Sequence, residues 1–532
     1  MPAGAESGRR KLLGAAVFLL LLVVPALPAQ ATIRYQVVLS RPAEHTFHIT
    51  MTIPGVEESV SVQMAAWDGL YQIRDFAHHV TALRASSPSG RVFPVTRLDK
   101  QTWRIDGSGE VRVEYDSFWD EAGPFGTQFD GDHAFLNLAM VLCYVPDRLA
   151  EDTVVRFESL PQGWRVAAEL PAGTGADSGA AAYRAESYDA LVDAPVEIGS
   201  FDEVQFRAGG RPMRVVLHGD SVDRARLVST LTAIVDYETQ LMGEAPFASY
   251  TFIFHIGRRF GGGGMEHGNS TAIAVDSGAT LANVSAHEFF HLWNVKRIRP
   301  RSLEPLDRTR EMFTPALWFA EGVTNTVASY TLVRTGLWSK AEFLDDLSDE
   351  IARLEARPAH RWQSAEESSL TTWFDKYSLY ERPEFSVSYY NKGQLLGVGL
   401  DLVIRDATDN RASLDDVMRR LNQQYAQRGR FYPDSLGIRM AAEDVIRQFR
   451  PDGAADLSEF FLRYVAGTED LPYAGWLSVA GLGLKVSGDR RLVEELPQAG
   501  ERQRRILAGV LSGTNKTEEP VPAGAGSRPS GR

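Results

Sequence analysis

The run His287-Glu288-Phe289-Phe290-His291, followed at Glu321 by a carboxylate inside Leu317-Trp318-Phe319-Ala320-Glu321-Gly322-Val323-Thr324, constrains this chain more than any other part of it. Residues four apart share one side of an α-helix, so the two imidazoles converge only if the backbone between them is helical. The second segment is apolar and compatible with a helix, and a carboxylate buried there without a partner is costly. Two imidazoles and a carboxylate form the three-ligand set of a catalytic zinc, which leaves a fourth position for water. Glu288 follows the first ligand and lies beside the ion, where a base can take a proton from that water. The pattern therefore reads as a hydrolase site with one Zn²⁺ per chain held by His287, His291 and Glu321, and with Glu288 as general base.

At 532 residues the chain is too long for one core, so two to four domains are expected. A formal charge of −13 excludes a nucleic-acid partner, because phosphate binding needs a basic surface. Arg9, Arg10 and Lys11 precede an apolar run from Leu12 to Leu27 and then Ala29-Gln30-Ala31. That order is a secretory leader, with cleavage expected after Ala31 and a periplasmic or secreted destination; the run is short for a membrane span. The alternative is an uncleaved anchor. Cys143 is the only cysteine, so no intramolecular disulfide forms, and its apolar surroundings mark it as a buried small hydrophobe.

From Ile33 to about Phe206, short alternating runs such as Tyr35-Gln36-Val37-Val38-Leu39 and Val111-Arg112-Val113-Glu114-Tyr115 indicate antiparallel β structure. From Asp220 the period becomes helical as far as Gly243, and a strand from Thr251 to Ile256 then leads into Gly261-Gly262-Gly263-Gly264. No Gly-Lys-Ser/Thr follows, so these glycines suit close approach of a ligand to backbone rather than a phosphate loop. Beyond Leu281 the segments are mostly helical, including Gly393 to Ala407, Ser413 to Leu421 and Ala441 to Phe449, and the tail from about Gly513 reads as disordered.

Gly263-Gly264-Met265-Glu266-His267, about twenty residues before the His287 pentapeptide, resembles the G-x-M-E-N signature of gluzincin aminopeptidases. With His267 in the last place, and with His287 to Pro300, Trp318 to Gly322 and Ser388-Tyr389-Tyr390-Asn391-Lys392-Gly393, the chain more specifically resembles the glycyl aminopeptidase family of zinc metallopeptidases, over about residues 33–480. That resemblance implies that Glu266 receives the α-amino group of a peptide, with Gly263 and Gly264 along the bound substrate, and that Tyr390 donates to the oxyanion, with Tyr389 as its rival. It also implies preference for an amino-terminal glycine or alanine. Asn294, Thr324 and Asn325 are candidates to support the ligands, or equally capping and surface residues. Members commonly carry a PDZ domain, and the fifty or so residues after Leu484 are too few for that module plus a tail.

The expected architecture is a multidomain α+β chain. A leader (1–31) precedes an N-terminal antiparallel β domain (32–206), a thermolysin-like catalytic domain (207–345), a helical C-terminal region (346–484) and a partly disordered tail (485–532). The expected activity is a zinc aminopeptidase acting on peptides with a free amino terminus. The rivals are a zinc endopeptidase and a peptide-binding protein with little turnover.

Overall fold

The structure, a computed structural model, describes residues 32–173, 181–276, 281–375, 382–450 and 455–513. The leader with its cleavage point and the tail beyond Gly513 lie outside these residues.

Strands dominate the first part because apolar side chains recur there at every second position. In Ile33–Arg41 the side chains of Ile33, Tyr35, Val37 and Leu39 are buried and Arg34 is exposed, which lays one face of the strand on a core. It belongs to a seven-stranded sheet in the order Ala181–Ala185, Thr153–Glu158, Ile33–Arg41, Thr46–Val56, Gly109–Phe118, Val80–Ser86, Val92–Phe93. One pair departs from the antiparallel expectation. Ile33–Arg41 and Thr153–Glu158 run parallel, because the long stretch of chain between them lifts the hairpin constraint that makes sequential strands antiparallel. Beneath this sheet the Cys143 N–H donates to Tyr115 Oη and its carbonyl accepts from Tyr35 Oη, each at 2.9 Å. Burial pushes the thiol up to about 12, so it is an inert core group.

A four-stranded sheet follows in the order Arg165–Ala168, Val196–Gly199, His133–Leu136, Gln128–Phe129. It faces a five-stranded sheet in the order Asp202–Ala208, Arg211–Gly219, Tyr250–Ile256, Ser270–Val275, Gly263–Glu266. In the second sheet the three inner strands are parallel and both edge strands antiparallel. Tyr250–Ile256 is buried at every position, as a central strand covered on both faces must be. Phe252 and Phe254 reach the helical side with Leu227 and Phe289. Ile253 turns the other way and joins Phe135, Ala167, Val216 and Ala272 between the two sheets.

On the helical side, Arg224–Met242 starts at Asp223, whose carboxylate accepts from the Arg226 N–H, and stops at Gly243 with φ +76°. Leu281–Phe290 and, further on, Lys340–Glu355, Tyr389–Thr408, Leu414–Gln424 and Asp434–Phe449 complete a helical mass. The expected domain limits cut through elements: 206 falls inside Asp202–Ala208, 345 inside Lys340–Glu355 and 484 inside Leu482–Ser487. Residues 485–512 are folded rather than tail. Leu482–Ser487 pairs antiparallel with Arg490–Glu495, and the helix Glu501–Ser512 buries Ile506, Leu507 and Val510 in the main core. Arg334 Nε donates to the Val510 carbonyl at 2.8 Å and anchors that helix. Among the described residues no helix is long and apolar enough to cross a membrane.

Candidate active site

The helix Leu281–Phe290 carries His287 and Glu288, and the turn just beyond it carries His291, whose N–H still donates to the His287 carbonyl at 3.3 Å. Helical spacing is thereby kept across the pair, and the two Nε2 atoms face each other at 2.8 Å. Glu321 Oε2 lies 3.4 Å from His287 Nε2 and 3.2 Å from His291 Nε2. A tetrahedral ion with bonds of about 2.1 Å spaces its ligand atoms about 3.4 Å apart, so the three donors fit one such ion.

The charge at the site agrees. Burial alone would push the Glu321 carboxyl up, yet His291 and His287 hold it well below the usual carboxylate range. Burial would lower His291, but Glu321 pushes it up to about 10. His287, buried beside His291, is pushed down. Glu321 is thus held as a carboxylate against the two imidazoles.

Backbone contacts hold the His291 ring and the turn that bears Glu321. His291 Nδ1 lies 2.6 Å from the Asn294 carbonyl, which makes Nδ1 the protonated nitrogen and leaves the Nε2 lone pair for a ligand role. The Asn294 amide donates to the Phe319 carbonyl at 2.9 Å and to Thr324 Oγ1 at 3.1 Å. Those contacts brace a π-helical turn, Trp318–Val323, that carries Glu321 and runs into the helix Thr324–Arg334. Such turns cluster at functional sites because the extra residue rotates a side chain off the regular helical face. Asn325 is half-buried and takes no part in this bonding among the described residues. The turn packs backbone on backbone against Tyr389–Thr408. A Cβ on Gly322 would come within 2.4 Å of the Gly393 Cα, and one on Gly393 within 2.2 Å of the Trp318 carbonyl oxygen. The glycines ending the two motifs are there for this contact.

Glu288 is buried, and burial pushes its carboxyl well above the usual range. The edge strand Gly263–Glu266 closes over it. A Cβ on Gly264 would sit 2.4 Å from the Glu288 carboxyl carbon, while Gly263, with φ +110°, lies against the Phe125 ring. Glu266 ends that strand, and single ligand atoms of Glu266, Glu288 and His291 lie within 4.8 Å of one another. A cavity of about 530 Å³, lined by Trp67, Asp68, Tyr71, Met265, Glu266 and His267 among others, reaches Glu266 from the side of the N-terminal part. The Tyr390 ring centroid lies 6.1 Å from that of His287, whereas Tyr389 is buried and its hydroxyl accepts from Thr372 Oγ1 at 3.5 Å. Every site residue expected from the sequence thus falls in this one region.

Sequence reading gave His267 no partner and missed Asp193 and Glu238. His267 is buried, with Nδ1 3.5 Å from Asp193 Oδ1. Asp193 also accepts from Lys296 Nζ at 2.6 Å and from the Gly268 N–H at 3.0 Å, tying the turn after Glu266 to the segment after the metal helix. Glu238, buried on Arg224–Met242, accepts from Thr331 Oγ1 at 2.9 Å behind His291. It follows Ile234 by four on the buried stripe, a periodicity that points to burial but not to its neighbours.

Comparison with known proteins agrees with this geometry. The model of the peptidase M61 N-terminal domain matches residues 34–200, and that of the M61 glycyl aminopeptidase matches residues 280–396, together more than half of the chain. The chain belongs to the M61 glycyl aminopeptidase family. As an M61 member it is a metallo-aminopeptidase whose substrates are peptides. No curated protein matches it significantly. Among solved structures it is similar to an aminopeptidase N family protein from Idiomarina loihiensis, with 28% identity, TM-score 0.78 and coverage of 85% of this chain and 79% of that one. It shares its fold with an M1 zinc metallopeptidase from Deinococcus radiodurans, at 14% identity, TM-score 0.51 and coverage of 83% and 95%.

Proposed function

We propose that this M61 chain is an exported zinc aminopeptidase that releases small amino-terminal residues, glycine or alanine, from peptides. One observation carries the reading: three donors, His287 Nε2, His291 Nε2 and Glu321 Oε2, lie 2.8–3.4 Å apart, and carboxylates of Glu288 and Glu266 approach the same His291 ring. Those three residues would hold the ion, which supplies Lewis acidity to polarise the scissile carbonyl and to acidify water. Glu288 accepts the proton of the attacking water and passes it to the leaving amine. Its burial suits that task, because a carboxylate that is poorly solvated is a stronger base. Glu266 pairs with the substrate's α-ammonium and so limits attack to the first peptide bond. Tyr390 donates its hydroxyl to the oxyanion of the tetrahedral intermediate.

The glycine preference is taken from the family's name and extended to alanine as the next smallest residue, and export is taken from the leader-like residues 1–31. Metal analysis of wild type and His291→Ala tests the ligand set. Wild type is expected to carry a chelatable zinc needed for arylamide hydrolysis. A His291→Ala protein that keeps this zinc and full activity overturns the assignment. Glycyl and alanyl arylamides should be hydrolysed faster than leucyl or phenylalanyl ones, and the mature chain should begin Thr32-Ile33-Arg34.

A further inference from the structure

A second cluster of ligating side chains lies between the two facing sheets, away from the cleft. Strand periodicity builds it. His218 follows Val216 by two and His255 follows Ile253 by two, so both rings leave the five-stranded sheet on the face that Val216 and Ile253 share, and register makes them direct neighbours. From the four-stranded sheet, His133 precedes Phe135 by two, and Glu197 stands opposite Phe135 on the adjoining strand. All four side chains are buried.

Their donor atoms converge on one carboxylate. His133 Nδ1 lies 3.0 Å from Glu197 Oε1, His255 Nε2 lies 2.9 Å from Oε2, and His218 Nδ1 lies 3.8 Å from Oε1. The His133 and His218 rings stack 3.9 Å apart at 8°, so that both Nδ1 atoms face the same oxygen. Hydrogen bonding accounts for two of these contacts but not the third. At 3.8 Å the His218 Nδ1 is beyond hydrogen-bond reach of Glu197, and its buried Nε2 has no hydrogen-bond partner among the described residues. Single donor atoms of His133, Glu197 and His255 lie within 4.8 Å of one another, close enough for one ion to draw them to the spacing of about 3.4 Å that a tetrahedral site imposes, and His218 Nδ1 stands beside them.

We infer that His133, Glu197, His218 and His255 form a second, structural zinc site that clamps the four-stranded sheet of the N-terminal part to the catalytic sheet. Three imidazoles and one carboxylate are the donor set of Zn²⁺ rather than of Mg²⁺ or Ca²⁺, which take oxygen ligands. Four protein ligands fill the tetrahedron, so no position is left for water and the site is not a second reaction centre. A cavity of about 120 Å³ adjoins the cluster, and Asp130 and Asp132 on its wall favour entry of a cation, partly offset by Arg259. Because the ligands come from both sheets, the ion adds its binding free energy to the contact between them.

Zinc stoichiometry of the full chain tests this. Wild type dialysed against low zinc should hold two equivalents, the variant His287→Ala/His291→Ala one, and the same variant with Glu197→Gln none. Glu197→Gln alone should keep one equivalent together with arylamide hydrolysis, and should lose the rise in Tm that added Zn²⁺ gives the double-histidine variant. If Glu197→Gln does not fold, His218→Ala, which removes the most distant ligand, should weaken the second equivalent by roughly tenfold or more. Wild type that saturates at one equivalent in excess zinc overturns the inference, as does a second equivalent indifferent to Glu197→Gln and His218→Ala. The cluster is then a hydrogen-bonded core group only.

Discussion

The two histidine and glutamate clusters of this chain balance charge in opposite ways. In the cleft, three carboxylates (Glu266, Glu288 and Glu321) crowd two imidazoles. Between the sheets, three imidazoles surround a single carboxylate, Glu197. A surplus of carboxylate in a buried place destabilises the fold, and chains keep such surpluses where chemistry needs a base or an anion for a substrate's positive end. The surrounded carboxylate instead supports the fold, and its burial keeps it from any substrate. Removing a carboxylate from the cleft should therefore lower activity and spare or raise stability, whereas removing Glu197 should do the reverse.

The largest effect is expected at Glu288. Glu288→Gln should keep its metal and lose roughly 10²–10⁴-fold in kcat, with a Tm at or above that of wild type because a buried, uncompensated carboxyl is gone. Near-wild-type turnover would break the comparison at its strongest point. Next comes Tyr390, whose loss as Tyr390→Phe should cost about 10²-fold in kcat, the scale of one oxyanion donor. Tyr389→Phe, deep in the core, should leave kcat close to wild type. Glu266→Ala should raise KM and lower kcat/KM on free-amine peptides by about 2 kcal/mol, the low end for leaving a charge unpaired, which is roughly thirtyfold. An unchanged kcat/KM would take Glu266 out of substrate binding.

The smallest effect sharpens the stability side. Asp68 lines the cavity that reaches Glu266, and burial pushes its carboxyl up to about 6 from 3.8 in spite of Arg74, His267 and Arg308 nearby. Because the folded pKa is raised, folding favours the protonated acid. Its contribution is full below 3.8 and is lost as pH climbs through 6. Asp68→Asn should thus be more stable than wild type at pH 7.5, by on the order of 1–3 kcal/mol, and the difference should vanish near pH 4. Denaturant unfolding at the two pH values checks it, and a variant less stable than wild type at pH 7.5 contradicts the assignment of Asp68 as an uncompensated carboxyl.

The clusters also differ in how readable they are from sequence. His287 and His291 share one helical turn, and Glu321 interrupts an apolar segment that gives it no other purpose, so the site is legible from local spacing. Tyr390 and Glu266 needed the family resemblance, since an aromatic at a helix start and a carboxylate at a strand end have ordinary uses. The π-helical turn at Trp318–Val323 was not legible, because the Asn294 bonds and the Gly322 to Gly393 contact that hold it come from distant sequence. The cluster between the sheets was invisible for the same reason. Each of its histidines stands alone in a buried strand, and only the register of His218 with His255, and of His133 and Glu197 across a second sheet, brings them together. The folded end of the chain was missed differently. Leu482–Ser487 and Arg490–Glu495 alternate only weakly and are charged, so the hairpin had the look of a tail until it docked.

The most direct test of the account is hydrolysis of one short alanyl peptide, free or N-acetylated, by the purified chain before and after chelation and zinc return. The account predicts cleavage of the first peptide bond of the free peptide only, abolished by the chelator and restored by Zn²⁺. Equal cleavage of the acetylated peptide, or turnover that survives complete removal of metal, would contradict it.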